Sequence, residues 1–290
     1  MEHYSGSQKN SKRQDQHFKF LKSLGQNFLQ DEEVIAKILD GSEIGPEDLV
    51  IEVGPGAGAL TVEAARRAGK LIAVELDSRL IPVLKAALVN APNAEIINGD
   101  ILKTDIAALI RENRQPGKVR IIGNLPYYIT TPIIMKFLEE GEGVDTITVM
   151  MQKEVADRLT AQPGTKECGA ITLQTGYFSE VTRICDVPKE AFVPRPKVES
   201  AVLRLDVRKE PPVEVPDRKF LFDVIKAGFT LRRKTLRNSL MTLGGTTKEQ
   251  IEAALEEAGI DPTRRGETLS LEEYASLSRA LFNAREGREE

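Results

Sequence analysis

The amino-acid sequence predicts an α/β fold, in which a largely parallel sheet is followed by a small, purely helical part. Two observations carry this prediction. Short apolar segments alternate with helical segments between residues 49 and 151, which is typical of βαβ units whose parallel strands are covered on both faces. After prolines at positions 211, 212 and 216, every remaining segment has helical periodicity, which favours a separate helical unit.

A helix is expected first, because Asp31 is a good N-cap and apolar residues recur at helical spacing from there to Leu39. Strands then alternate with helices, each strand being a short apolar run. The predicted strands are Leu49–Val53, Leu71–Leu76, Glu95–Asn98, Val119–Gly123 and Thr146–Met151. The predicted helices between them are Ala59–Ala68, Ser78–Val89, Asp105–Arg111 and Thr131–Leu138.

The pattern is mixed after residue 153. A helix is predicted over Glu154–Thr160, whereas Ala170–Phe178 fits either a helix or a strand. Asp186–Pro196 contains three prolines and is predicted to be a loop. Ala201–Val207 alternates apolar and polar residues, as a half-buried strand does. The last predicted helices are Phe220–Leu243, Lys248–Ala258 and Leu271–Phe282.

These elements divide the chain into three parts. Residues 1–17 are polar, have almost nothing to bury, and are predicted to form a flexible arm. A domain that contains the sheet is expected over residues 18–210. A helical domain is expected over residues 211–290.

The composition excludes several classes of protein. The 290 residues are 41% hydrophobic and 29% charged, which rules out wholesale disorder and fibrous repeats. No apolar run approaches the ~18 residues of a membrane-spanning helix, and the N-terminal segment lacks the apolar stretch of a secretory signal. Cys168, Cys185, His3 and His17 have no zinc-site spacing. We therefore expect a cytoplasmic protein that has no structural metal and no membrane partner.

Charge is unevenly distributed along the chain. The formal net charge is −4, yet residues 218–240 contain seven Lys or Arg against one acid, and residues 241–290 contain eleven acids against six bases. On a continuous helix that turns about 100° per residue, Lys226, Arg233 and Arg237 fall within about 40° of one another. Such a face can bind nucleic-acid phosphates; the alternative is an ordinary solvated face.

A glycine-rich loop, Gly54 to Gly58, joins the first predicted strand to the following helix. Glycines such as Gly54 and Gly56 let a ligand approach the backbone, and a helix N-terminus offers free N–H donors. Glu75 ends the second predicted strand, where a carboxylate can accept hydrogen bonds from both ribose hydroxyls of a nucleotide. Asp100, after the third strand, can bond an adenine amino group, although Asp after Gly is usually a turn or cap residue.

The glycine loop, Glu75 and Asp100 do not by themselves identify the ligand. The dinucleotide pattern G-x-G-x-x-G is not met, because position 59 is Ala and the third glycine comes one residue early. The G-x-G-x-G spacing suits a cofactor without a pyrophosphate, such as S-adenosylmethionine. A mere tight turn is the alternative, and the position of Glu75 counts against it.

The sequence Asn124-Leu125-Pro126-Tyr127 follows the fourth strand of the predicted sheet. Ligands of open α/β sheets bind beyond the carboxyl ends of the strands. The Asn124 side-chain carbonyl and the Pro126 backbone carbonyl can accept the N–H groups of an exocyclic adenine amine and hold its nitrogen in line with a methyl donor. Tyr127 can stack on the base. The alternative is a turn that simply ends the strand.

Five segments, in order along the chain from about Phe20 to Leu240, resemble the rRNA adenine dimethyltransferase family. They are Lys22–Leu29, Glu52–Gly58, Gly123–Tyr127, Gln152–Leu159 and Phe192–Val202. The resemblance implies a Rossmann-like class I methyltransferase sheet, a small helical C-terminal domain that contacts RNA, and S-adenosylmethionine as methyl donor without a metal.

The resemblance also assigns roles to residues. It implies that Tyr127 and Phe192 sandwich the target adenine, although from the residues alone a Phe in a proline-rich loop more often anchors the core. It implies that the S-adenosylmethionine site is lined by Asn27, Leu29, Gly54, Glu75, Asp100 and Asn124.

Within the family, Leu125 and the Pro194–Val202 block look like the branch that dimethylates two adjacent adenosines in the 3′-terminal hairpin of 16S small-subunit rRNA. This implies an immature 30S subunit as the partner of a monomeric enzyme of ribosome biogenesis. Two alternatives stay open. One is the antibiotic-resistance branch, which modifies large-subunit rRNA and usually has Ile at this position. The other is a non-catalytic relative that acts as an assembly or transcription factor, against which the intact Asn124–Tyr127 motif counts.

Overall fold

The computed structural model of this chain describes residues 26–286. The predicted arm over residues 1–17, both histidines and residues 22–25 of the first family motif therefore lie outside the described residues. Within residues 26–286, no helix is long and apolar enough to cross a membrane.

A seven-stranded sheet forms the centre of the structure. The strands in chain order are β1 (Phe28–Leu29), β2 (Leu49–Val53), β3 (Lys70–Glu75), β4 (Ala94–Asn98), β5 (Val119–Asn124), β6 (Thr146–Gln152), β7 (Ser179–Val187), β8 (Phe192–Val193) and β9 (Ser200–Val207). The sheet order is β4-β3-β2-β5-β6-β9-β7, and β1 pairs with β8 separately. Strands β4 to β6 of this order are parallel, and β9 is antiparallel to both of its neighbours.

The direction of chain winding reverses between β2 and β5. From β2 the chain proceeds outward to β3 and β4, and then returns to place β5 on the other side of β2. In open α/β sheets the loops diverge at such a switch point and leave a crevice beyond the carboxyl ends of the two strands. The fold therefore opens a crevice where the glycine loop leaves β2 and the Asn124 motif leaves β5.

Helices cover both faces of the sheet and also form the C-terminal part of the chain. They are α1 (Glu32–Ser42), α2 (Thr61–Arg67), α3 (Ile81–Ala87), α4 (Ile106–Asn113), α5 (Thr130–Glu140), α6 (Lys153–Leu159), α7 (Ala170–Phe178), α8 (Arg218–Thr230), α9 (Leu236–Leu240), α10 (Lys248–Glu257) and α11 (Leu271–Glu286). The Asp31 side chain accepts hydrogen bonds from the backbone N–H groups of Glu33 and Val34, which confirms it as the N-cap of α1.

Two apolar cores lie on the two faces of the sheet. In β2, Ile51 belongs to one core and Val50 to the other, because successive side chains of a strand point to opposite faces. The core that contains Ile51 continues into the C-terminal helices. There Phe222 of α8 packs its ring 5.4 Å from Tyr177 and 5.6 Å from Phe178.

The structure settles one open element and adds another. Ala170–Phe178, which fits either a helix or a strand by pattern, is the helix α7. The nine-residue strand β7 directly after it is absent from the sequence prediction. It pairs with β9 alone and has a register shift between Arg183 and Cys185, so its burial does not alternate in the way that identifies a strand.

The predicted helix Phe220–Leu243 is wrong as one element. It is broken into α8 and α9 by residues 231–235. Arg232 in this break donates to the backbone carbonyls of Lys166 and Cys168 and pairs with Glu267, and Thr235 caps α9. Because Arg233 lies in the break, the helical argument that placed it on one face with Lys226 and Arg237 does not apply.

Candidate active site

A cavity lies in the crevice between β2 and β5. Its walls come from residues 26–29 around β1, the glycine loop, the carboxyl ends of β3 and β4, and residues 124–129 after β5. It contains every residue predicted from the sequence to bind the cofactor, namely Asn27, Leu29, Gly54, Gly56, Glu75, Asp100 and Asn124. The fold therefore brings together side chains that are far apart in the sequence.

The glycine loop has a backbone that other residues rarely adopt. Gly54 and Gly56 have φ angles of +67° and +61°, a region that costs a side-chain-bearing residue energy. At Gly56 there is also no room, because an added Cβ would lie 2.9 Å from Cε1 of Phe28. The loop thus packs directly against the segment that carries Asn27, and both form walls of the cavity.

Glu75 joins the glycine loop to the end of β3. Its Oε2 accepts a hydrogen bond from the Gly56 N–H (3.0 Å), and its Oε1 accepts one from the Asp77 N–H (2.8 Å). Burial raises the pKa of this carboxyl above its usual range. Each carboxylate oxygen has a second lone pair, so Glu75 can hold the loop and still accept hydrogen bonds from the hydroxyls of a ligand.

We expect Glu75→Ala to weaken binding of S-adenosylmethionine by about 1.5–3 kcal/mol, the range for a hydrogen bond to a charged group. The change removes both the acceptor for ribose and the anchor of Gly56. Isothermal titration of the folded variant measures the effect. Glu95→Ala is the matched control, because Glu95 lies on the adjacent strand β4 but is exposed and pairs with Lys70. Unchanged affinity of the Glu75 variant would contradict the assignment.

Asp100 and Leu29 also lie where the sequence places them, with additional structural roles. The Asp100 carboxylate accepts a hydrogen bond from the Leu102 N–H (3.0 Å) and caps a short 3₁₀ turn. This is the cap role that an Asp after Gly usually has, and the residue lines the cavity as well. Leu29 is buried and belongs to the core as well as to the cavity wall.

Asn124 is held by the segment around β1. Its Nδ2 donates a hydrogen bond of 2.9 Å to the backbone carbonyl of Asn27. This bond fixes the orientation of the amide plane, so the Oδ1 atom is the side that serves as a hydrogen-bond acceptor for a ligand in the cavity. Asn27 therefore acts on Asn124 through its backbone, a contact between residues 97 positions apart.

Pro126 differs from its predicted role. Its carbonyl accepts hydrogen bonds from the Ile129 N–H (3.1 Å) and from the Thr130 hydroxyl (3.1 Å). A carbonyl oxygen has two lone pairs, and here both are used to form the turn that leads into α5. The expectation that this carbonyl accepts the second amine hydrogen is not supported by the structure, although Pro126 does line the cavity.

Tyr127 forms part of the cavity wall, and its hydroxyl is tied to the neighbouring strand. The Tyr127 hydroxyl lies 2.6 Å from the Ser200 hydroxyl at the start of β9. Burial raises the pKa of Tyr127, so the phenol is neutral at physiological pH. A neutral ring held at its far end is suited to stacking on a flat ligand.

Phe192 lies outside the cavity wall. It is 2% exposed, belongs to the core that also contains Leu29, and is paired with Leu29 across β1 and β8. The sandwich of an adenine between Tyr127 and Phe192 is therefore not formed in this structure, because the Phe192 ring is covered by its own chain. Its position is that of a core anchor, and its contact with a base stays a prediction.

Glu52 is a feature of the cavity that the sequence analysis missed as a functional residue. It is 1% exposed, its Oε2 has no hydrogen-bond partner among residues 26–286, and it lines the cavity. Burial raises its pKa to about 8, so the carboxyl is mostly protonated at neutral pH. The available signal was a single acid within an otherwise apolar strand, Leu49–Val53.

The predicted RNA-contacting residues lie away from the cavity. Lys226 and Arg233 are exposed and form no ion pair with any described residue, whereas Arg237 pairs with Glu252 at 3.0 Å. In the described part of the chain, no three His, Cys, Asp or Glu side chains come together as metal ligands would.

Known proteins resemble this chain along most of its length. The sequence pattern of the family described as "Ribosomal RNA adenine dimethylase" matches residues 17–282. A "Ribosomal RNA small subunit methyltransferase A" of Bacillus mycoides is 51% identical over 269 residues, which cover 91% of this chain and 92% of the relative. A protein of Bacillus anthracis with the same name is also 51% identical, over 268 residues.

Two solved structures share the fold of this chain. A dimethyladenosine transferase from Plasmodium falciparum has a TM-score of 0.74 at 25% identity and covers 86% of this chain and 95% of its own. The 23S rRNA methyltransferase ErmE has a TM-score of 0.66 at 30% identity and covers 88% of this chain and 100% of its own. The expected Rossmann-like methyltransferase fold is thus confirmed, and the chain belongs to the ribosomal RNA adenine dimethylase family.

Proposed function

We propose that this protein uses S-adenosylmethionine to dimethylate the N6 amines of two adjacent adenosines in the 3′-terminal hairpin of 16S small-subunit rRNA. The observation that carries the proposal is the Asn124 amide, which the Asn27 carbonyl orients at the edge of the cavity. Support for the small subunit comes from relatives that are 51% identical and named for it.

The residues of the cavity fit the cofactor. Gly54 and Gly56, whose positive φ angles suit glycine, allow close approach to the backbone, and Glu75 offers acceptors for ribose hydroxyls. We assign Asp100, which also lines the cavity, to the adenine amino group. When bound, S-adenosylmethionine supplies a methyl group on a positively charged sulfur, which is a good leaving group.

Asn124 has a specific task in this chemistry. The lone pair of the exocyclic amine of adenine is delocalised into the ring, so the nitrogen is a poor nucleophile. A hydrogen bond from the amine to Asn124 Oδ1 positions the nitrogen and favours its tetrahedral, more reactive geometry. Such positioning acts mainly in the transition state. Tyr127 then holds the plane of the base by stacking.

The choice of ribosomal subunit is tested directly. Under-methylated 30S subunits and under-methylated 50S subunits are incubated separately with the protein and labelled S-adenosylmethionine, and the labelled nucleotides are mapped. We expect label in N6,N6-dimethyladenosine of the 3′-terminal hairpin of the small subunit. Label confined to 50S subunits would favour the antibiotic-resistance branch instead. The chain is also similar in structure to ErmE, a 23S rRNA methyltransferase.

The remaining parts of the proposal concern partners and organisation. We place the catalytic domain over residues 18–210 and an RNA-contacting helical domain over residues 211–290. The protein acts as a monomer in the cytoplasm on an immature 30S subunit. The exposed cations Lys226 and Arg233, with Arg237, are the phosphate contacts that we assign to the helical domain.

We expect the double variant Arg233→Ala, Arg237→Ala to weaken RNA binding and to flatten its salt dependence by up to about two phosphate contacts. Arg237 contributes less than Arg233 because it already pairs with Glu252. The slope of log affinity against log salt concentration is the measurement. Lys248→Ala with Arg279→Ala, also on the C-terminal helices, is the matched control. An unchanged slope would mean that Arg233 and Arg237 lie on an ordinary solvated surface and do not contact RNA phosphates.

A further inference from the structure

One aromatic side chain at the cavity stands out by its exposure. Tyr128 is 58% exposed, and every other aromatic residue in the range 26–286 is buried or half-buried. It lines the cavity together with Tyr127. None of the described residues forms a hydrogen bond with its hydroxyl or packs a ring against it, whereas the hydroxyl of Tyr127 is bound to Ser200.

The backbone fixes where the two tyrosine rings lie. The Ile129 N–H donates to the Pro126 carbonyl, which closes a turn with Tyr127 and Tyr128 at its two central positions. The Thr130 hydroxyl donates to the same carbonyl. The turn therefore holds Tyr127 in the wall and presents Tyr128 at the exposed rim without help from its own side-chain contacts.

An adenine that enters this cavity must leave its stack, and its neighbour in the RNA then loses a stacking partner at the cavity rim. An exposed aromatic ring at that place can replace the lost partner, since every base has a face that stacks on an aromatic ring. Tyr128 meets both requirements, because it is exposed and it borders the cavity.

We propose that Tyr128 is a second base-binding platform, which stacks on the nucleotide adjacent to the target adenine. This inference rests on the proposed function. It assigns a subsite for one unpaired base, read by its flat face, at the mouth of the cavity. This contact holds the RNA strand beside the target nucleotide only once the target base has left its stack.

The test combines changes in the protein and in the RNA. Fluorescently labelled hairpins are prepared intact, or with an abasic nucleotide on the 5′ or the 3′ side of the target adenosine, and the Kd is measured by anisotropy. We expect Tyr128→Ala to bind the intact hairpin at least about 5-fold more weakly, the lower limit for loss of one base–aromatic stack. Tyr128→Phe keeps the ring and should bind like the parent protein.

The abasic hairpins separate stacking from a structural effect. On the hairpin that lacks the stacked base, the parent protein and Tyr128→Ala should bind within about twofold of each other, because the interacting partner is already absent. Val89→Ala, at a residue 77% exposed, is the control for an exposed apolar side chain. An equal loss on the intact and both abasic hairpins, or an equal loss for Tyr128→Phe, would overturn the proposal.

The hairpin-binding test of the platform and the methylation test of the proposed function have separate outcomes. Methylation of under-methylated 30S subunits by the parent protein tests the function without reference to Tyr128. If that methylation occurs and the hairpins show no dependence on Tyr128, the platform is wrong and the function stands. If the parent protein methylates no adenosine, the function fails whatever the hairpins show.

Discussion

Replacing Asn124 by alanine is expected to lower methyl transfer by about a hundredfold or more while S-adenosylmethionine and RNA still bind. The reason is that the hydrogen bond from the adenine amine to Asn124 Oδ1 acts mainly in the transition state, where such positioning supplies a few kcal/mol. Cofactor affinity should fall by a smaller factor. That fall comes from loss of the Asn124 Nδ2 donor that holds the Asn27 carbonyl.

Single-turnover methylation with saturating cofactor measures the chemical step apart from binding, and titration measures the two affinities. Asn113→Ala is the matched control. Asn113 is also half-buried and hydrogen-bonded, but its partner is Lys70 at the amino end of β3. Near-parental turnover by the Asn124 variant would show that Asn124 only ends the strand.

The second large effect concerns Glu52 and pH. The pKa of Glu52 is about 8 in the folded protein because the carboxyl is buried, and about 4.3 in an unfolded chain. Between these values the folded state holds a proton that the unfolded state has lost, so the free energy of unfolding decreases as pH rises from about 4.3 to about 8. Below this window both states are protonated and Glu52 adds no pH dependence to the free energy of unfolding.

We therefore expect Glu52→Gln to stabilise the protein without cofactor progressively as pH rises. Because each pKa unit corresponds to about 1.4 kcal/mol, the difference between variant and parent should grow by a few kcal/mol between pH 5 and pH 8. Urea unfolding at several pH values measures it. Glu95→Gln, at an exposed position, should show no such trend. A constant difference between Glu52→Gln and the parent would mean that Glu52 is ionised in the folded protein.

The parallel part of the sheet is predictable because its strands are short, largely apolar and separated by segments with helical periodicity. Strand β7 was not, since an edge strand such as Ser179–Val187 has polar residues on both sides and a register shift. The break after Thr230 was equally hidden. It depends on Arg232 reaching the backbone of residues 166 and 168, a tertiary contact that overrides local helix propensity.

The candidate site also has features that the sequence predicts and features that it does not. The glycines follow from the motif, because their positive φ angles favour that residue type, and Glu75 follows from its spacing to them. The role of the Pro126 carbonyl did not follow from the sequence, since the sequence does not reveal that Ile129 and Thr130 donate hydrogen bonds to it. The buried position of Phe192 is the one that its residue type and its proline-rich loop favour, whereas the resemblance implies a contact with a base.

The pairing of β1 with β8 has a consequence for the order in which the site can form during synthesis. Leu29 is opposite Phe192 in this pairing. The strand that carries one wall of the cavity can therefore pair only after the ribosome has added another 163 residues. Closing so long a loop is entropically costly and is compensated only by contacts made across the whole sheet. A nascent chain that ends before Phe192 already contains the glycine loop and Asn124. It still lacks the strand that pairs with Phe28 and Leu29, so this wall of the cavity is complete only after residue 193 has been added.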